Sequence, residues 1–161
     1  MESFEEIYVK YYKKVYRFLY RLSGSAELAE ELTQETLYNA FLHINQYQGR
    51  SNIFTWLCQI AKNNWLTECN RQKHFDRHQD VWQPVSGHDP EKEVIEKQML
   101  DLLRKEIKEL PEPYLSVCIL RVYAELSYGD IAAGFGKSEN WARVTFFRGK
   151  AMLTERMERF R

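Results

Sequence analysis

Apolar residues recur at steps of three and four along most of the chain, the period of amphipathic helices. Ile7, Tyr11, Val15, Phe18 and Leu22 form one such stripe, opened by a capping box of Ser3 and Glu6. Ser23-Gly24-Ser25 interrupts it, and Ser25 can cap the next helix. That second segment sets Ala29, Leu32, Leu37, Ala40, Phe41 and Ile44 on a buried side, with Glu27, Glu31, Gln34 and Tyr38 on another face. A turn is expected near Gly49, then a third helix with Ile53, Trp56, Leu57, Ile60 and Ala61 as its apolar stripe.

After Arg71 the periodicity stops. Residues 72–90 are polar and rich in His and Gln, close with Gly87-His88-Asp89-Pro90, and carry few apolar points, among them Val81, Trp82 and Val85. This composition predicts an extended linker. A second helical set begins near Glu91 with Val94, Ile95, Met99, Leu102, Leu103 and Ile107. Pro111-Glu112-Pro113 separates it from a helix bearing Tyr114, Val117, Cys118, Leu120 and Val122. No segment reads as a strand or an internal repeat. The pattern predicts an all-α chain: two small helical domains, 1–71 and 91–161, joined by an extended linker over 72–90.

A length of 161 residues suits one medium domain or two small ones. The 23 basic and 23 acidic side chains cancel, which excludes a general polyanion-coating protein. Their distribution is segregated. Lys10, Lys13, Lys14, Arg17 and Arg21 make the first helix basic, Glu27, Glu30, Glu31 and Glu35 make the second acidic, and the last stretch is basic again. Such blocks suit more than one kind of partner. The acidic start argues against a secretion signal, no apolar run is long enough to span a membrane, and the odd trio Cys58, Cys69 and Cys118 suits a reducing compartment. A soluble, cytoplasmic protein without membrane insertion is expected.

The chemistry is densest near the C-terminus. Ser127 with Asp130 opens a short helix containing Ala132; Gly134-Phe135-Gly136-Lys137 turns the chain, and Ser138 caps a last helix. Ala142, Phe146, Gly149 and Leu153 face a core, leaving Arg143, Val144, Phe147 and Arg148 together on the opposite face. Cap, small residue, turn and basic helix in this order are the parts of a helix-turn-helix that reads duplex DNA. Between Asn45 and Arg71, aromatic residues alternate with amides and cations. Taken alone, aromatics at that spacing are more often core than a place for unstacked bases, and an acidic helix face is more often a solvated surface than a docking one.

Taken in order, Ala29-Glu30-Glu31-Leu32-Thr33-Gln34-Glu35-Thr36-Leu37, Tyr47-Gln48-Gly49, Phe54-Thr55-Trp56-Leu57 with Ile60-Ala61-Lys62-Asn63, and Leu126 through Arg148 resemble the extracytoplasmic-function sigma factors of the sigma-70 family. The resemblance spans nearly the whole chain. It implies a subunit that directs core RNA polymerase to promoters and assists strand opening. Glu31, Gln34 and Glu35 would dock the polymerase; Tyr47, Trp56, Lys62, Asn63 and Asn64 would engage the minus-ten element; Arg143, Val144, Phe147 and Arg148 would read the minus-thirty-five element. Promoter DNA, core polymerase and an anti-sigma protein are the implied partners.

Departures lie in the reading helix. Asn140-Trp141-Ala142 stands where the family often has Gly-Thr-Val, Val144 and Thr145 where Ser and Arg are common, and Gly129 where an acidic residue is frequent. Val144 offers apolar contact, for instance to a thymine methyl, where Ser could hydrogen-bond. Cys69, His74 and His78 match no zinc spacing, and no phosphate loop or nucleophile elbow occurs. No catalytic residue, metal, cofactor or small-molecule substrate is expected. A stand-alone helix-turn-helix regulator and a helical adaptor are the competing expectations.

Overall fold

The computed structural model describes residues 3–75 and 90–160. They form seven α-helices and no strand among the described residues: α1 (Phe4–Ser23), α2 (Ala26–His43), α3 (Ile53–Phe75), α4 (Pro90–Ile107), α5 (Tyr114–Val122), α6 (Tyr128–Phe135) and α7 (Glu139–Glu158). Four starts are set by serine. Ser3, Ser25, Ser127 and Ser138 each accept the backbone N–H three residues on, at 3.3, 3.1, 3.1 and 3.0 Å. No helix among the described residues is long and apolar enough to cross a membrane.

α1, α2 and α3 pack on one another around Val15, Phe18, Leu19, Leu22, Leu32, Leu37 and Leu57. In the second half α7 lies against α4, α5 and α6 over Ile107, Val117, Ile119, Leu120, Ile131 and Ala142. α5 and α7 cross with almost nothing between them: a Cβ on Gly149 would meet the Cys118 sulfur at 2.6 Å. Arg156 pins α7 to α4 through the buried carboxylate of Glu106, at 2.8 Å.

Three expectations are corrected. Phe41 is exposed rather than buried, its ring meeting Phe4 edge-on at 5.1 Å, and no further helix among the described residues covers that end of α2. Ile95 and Met99 are exposed, and α4 meets the core through Leu103 and Ile107 nearer its C-terminus; Val122 is likewise exposed at the end of α5. α3 continues past Arg71 to Phe75, into the stretch read as linker; residues 76–89 of that stretch lie outside the described residues.

The two halves rest on each other, α3 against α5 and α6. Arg104 of α4 caps the end of α1, donating from Nε and Nη2 to the Arg21 carbonyl at 3.1 and 3.0 Å. Gly24 makes room for it, since a Cβ there would lie 2.9 Å from the guanidinium carbon. Arg21–Glu125 at 3.2 Å and Lys73–Glu109 at 3.8 Å add exposed ion pairs, each worth at most about 1 kcal/mol.

Candidate nucleic-acid and protein interfaces

α6 and α7 form the helix-turn-helix. Gly136 supplies the turn's left-handed backbone, φ 66°, and its N–H closes α6 on the Ala132 and Ala133 carbonyls. Ala142 and Gly149 turn inward, while Arg143, Val144 (37 % exposed), Phe147 (54 %) and Arg148 face solvent on the N-terminal half of α7. Arg143 is not loose: it pairs with Glu139 at 3.2 Å and its guanidinium lies 5.3 Å from the Tyr128 ring. The guanidinium of Arg121 sits 4.0 Å from the same ring and donates to the Leu126 carbonyl at 2.9 Å. Tyr128 and Arg121 therefore steady Arg143 from behind. Periodicity alone missed both, because the contact joins α5, α6 and α7.

On α2, Glu31, Gln34 and Glu35 are all exposed. Glu31 and Glu27 also line a groove of about 660 Å³ between the two halves, with Glu68 of α3 beside them and Arg104, Lys105 and Lys108 of α4 among its other lining residues. One edge of the acidic face thus already meets positive charge within the chain.

The five residues assigned to the minus-ten element separate into distinct settings. Tyr47 and Trp56 come together, ring centroids 5.2 Å apart, and the Tyr47 hydroxyl donates to the Ser51 carbonyl. Burial, then the neighbouring Tyr11, raises the Tyr47 phenol above its ordinary pKa. Asn52 holds the start of α3 by accepting from the Thr55 N–H at 2.8 Å. Around the pair is a cavity of about 160 Å³ lined by Gln46, Gln48 and Arg50 and, from α6, by Ala133 and Gly134. Asn63 is exposed. Asn64 ties α3 to α2, donating to Thr36 at 3.2 Å and accepting from Asn39 at 3.3 Å.

Lys62 faces the other way. Only 5 % exposed, it donates to Gln59 at 2.9 Å and to the Ser116 hydroxyl of α5 at 2.7 Å; Ser116 in turn donates to the Glu112 carboxylate, which also accepts the Ser116 N–H at 2.7 Å. Desolvation lowers the lysine's pKa, and Glu112 pulls it partly back. No cluster of His, Cys, Asp and Glu among the described residues could hold a metal, and His78 lies outside them.

Residues 7–75 match the family model of sigma-70 region 2. The chain is 29 % identical over 165 residues to the RNA polymerase sigma factor YlaC of Bacillus subtilis (strain 168), covering 99 % of this chain and 95 % of that one. It is 28 % identical over 150 residues to the ECF RNA polymerase sigma factor SigM of the same organism, covering 92 % and 91 %. Among solved structures, the fold resembles CnrH in complex with the cytosolic domain of CnrY (TM-score 0.60, 14 % identity, 96 % of this chain and 87 % of that one). It also resembles the sigma factor RpoE with the anti-sigma factor NepR from Bartonella quintana (TM-score 0.57, 20 % identity, 94 % of each). Helix order, helix-turn-helix and near full-length similarity agree: over nearly its whole length the chain is similar to the extracytoplasmic-function sigma factors of the sigma-70 family.

Proposed function

We propose that this chain is a promoter-specificity subunit of RNA polymerase, acting by binding rather than by catalysis, in the cytoplasm. The observation that carries it is one chain bearing a solvent-facing reading helix (Arg143, Val144, Phe147, Arg148) and a region 2 fold with an exposed acidic face (Glu31, Gln34, Glu35). In this reading residues 1–71 dock core polymerase and engage the opened minus-ten element, 72–90 connect, and 91–161 read the minus-thirty-five duplex. Carboxylates beside an amide suit a basic, arginine-bearing partner surface. Tyr47 and Trp56 form the cleft for an unpaired base, with Asn63 at hand. Lys62 joins only when the halves part, because Ser116 and Glu112 now hold it. Asn64 serves by fixing α3 to α2.

Two weak contacts in one molecule bind strongly when the polymerase fixes their spacing. Parting the halves exposes the cleft that α6 now borders. An anti-sigma protein is the expected antagonist, competing for the acidic face and the reading helices.

The test is gel filtration with bacterial core RNA polymerase, followed by run-off transcription from a randomised promoter library. Co-elution with new, sequence-selected transcripts is the expected result. Failure to join an active core while α7 still selects duplex DNA would make the chain a stand-alone regulator.

A further inference from the structure

Asn140 of α7 is used neither by the fold nor by the function proposed above. Its neighbours in the first turn are all engaged. Ser138 caps the helix by accepting from the Trp141 N–H at 3.0 Å, and Glu139 pairs with Arg143 at 3.2 Å. The Trp141 ring packs on Phe135 of α6, centroids 5.4 Å apart. Asn140 is exposed, and its amide makes no hydrogen bond with any described residue. Asparagine is among the weaker helix formers, so the side chain gives α7 nothing that alanine would not.

Its place on the helix is central. At about 100° of turn per residue, Val144 and Phe147 lie within about 40° of Asn140, with Arg143 about 60° to one side and Arg148 about 80° to the other. The buried residues Ala142, Thr145 and Gly149 occupy the opposite side. Laid in a major groove with this face down, α7 brings its two cations towards the phosphate walls and Asn140 towards base edges. The Phe135–Trp141 contact fixes the first turn against α6, so the amide is presented from a rigid backbone.

We propose that Asn140 is a specificity-determining residue that reads an adenine in the minus-thirty-five duplex: its amide N–H donates to N7, and its amide oxygen accepts from the N6 amino group. This rests on the reading of α7 as the duplex-binding helix. A donor and an acceptor side by side match the major-groove edge of adenine, whereas guanine presents two acceptors there. Val144, one turn further on, is placed for an apolar contact beside that base pair.

The test selects duplexes from one randomised library with the full wild-type chain and with Asn140→Ala. Each chain is then titrated against the wild-type consensus and its single-position changes. The wild-type chain should prefer adenine at one position by about 5- to 150-fold over other bases. Asn140→Ala should lose that preference and keep the others. At the same position 7-deazaadenine, which lacks the N7 acceptor, should weaken binding by the wild-type chain but not by Asn140→Ala. Identical preferences in the two chains overturn the proposal and leave α7 as the reading helix. A loss of affinity in Asn140→Ala that is uniform across sequences also overturns it, by making Asn140 a phosphate contact. So does a wild-type chain indifferent to 7-deazaadenine at every adenine, a result that needs no variant. If neither chain selects any sequence, the reading of α7 itself falls, and the role of Asn140 with it.

Discussion

The ammonium group of Lys62 donates to the hydroxyl of Ser116, 54 residues further along the chain, and both side chains are buried where α3 meets α5. Ser116 relays the contact to Glu112, so a cation and an anion are joined through one neutral hydroxyl. Removing the hydroxyl leaves both charges short of a partner in a poorly hydrated place, at a cost of about 1–3 kcal/mol. Ser116→Ala is therefore expected to shift the chain towards a form with its halves apart, by about 5- to 150-fold. Small-angle scattering would register a larger radius of gyration with helix content kept. An unchanged radius would mean that the apolar contacts of α3 with α5 and α6 hold the halves without the relay.

The same lysine gives the closed form a pH dependence. Its pKa is lowered by burial, so the closed form binds fewer protons than the open or unfolded chain between the lowered value and the ordinary 10.5. The penalty for burying the charge is present in full below the lowered pKa and is relieved as pH rises towards 10.5. Closed-state stability should accordingly increase over that alkaline window in the wild-type chain relative to Lys62→Met, which has no proton to lose. Parallel scattering or denaturation curves with the same pH slope for both chains would remove Lys62 as the source.

Gly149 faces the Cys118 sulfur across the α5–α7 crossing, and a methyl group there would lie 2.6 Å from it. Gly149→Ala should destabilise by about 1–3 kcal/mol through overpacking, although alanine favours the helix by about 1 kcal/mol over glycine. Cys118→Ala makes room, so the double variant should be more stable than the sum of the two losses. Urea denaturation of the four proteins measures the coupling, and strict additivity would deny the contact. Burial lifts the Cys118 thiol to about 11, so thiolate chemistry at this site should be slow near neutral pH.

The sequence carried the helices more fully than their surroundings. Serine caps and three-four periodicity placed every helix among the described residues, and the inward turn of Ala142 and Gly149 followed from spacing alone. What stayed illegible depends on contacts distant in the chain. A lysine in the polar register of α3 looks solvent-facing until Ser116 arrives from α5, and Arg104 shows no relation to Gly24 before the halves meet. The opposite error affects Phe41, Ile95 and Met99: periodicity marks an apolar side but not whether another helix covers it. The resemblance groups Tyr47 with Trp56, and their rings meet, whereas Lys62, Asn63 and Asn64, adjacent in sequence, point to three environments because successive helical residues turn about 100°.

Tyr128 should matter for duplex binding without reading any base. Its ring lies 4.0 Å from the guanidinium carbon of Arg121 and 5.3 Å from that of Arg143, holding the latter near the start of the exposed face of α7. Tyr128→Leu keeps bulk against Phe146 but removes the ring, at a cost of about 0.5–1 kcal/mol for an exposed cation–π contact. A two- to fivefold loss of affinity for a selected duplex follows, roughly the same number expressed as a ratio. Because charge is conserved, the salt slope should stay fixed, whereas Arg143→Ala should reduce it by about 0.9 if that side chain touches a phosphate. Titrations at two salt concentrations separate positioning from contact.

The acidic face of α2 offers the sharpest division between a polymerase subunit and a free-standing regulator. Glu31 is a poor probe, because it also lines the groove that Arg104, Lys105 and Lys108 border, so reversing it disturbs the closed chain as well. Gln34 and Glu35 are exposed outside that groove's lining. Gln34→Ala/Glu35→Lys should leave the fold intact, since surface changes away from caps and cores usually fall within about 0.5 kcal/mol. Against a basic partner surface, removing one charge-assisted contact and opposing another should cost at least about 2–5 kcal/mol, a thirtyfold or greater loss. The expected result is a chain that no longer co-elutes with core polymerase, yet binds duplex through α7 with wild-type affinity. Retained co-elution would move the docking surface off this face of α2, and loss of duplex binding as well would mean that the substitution reached the fold.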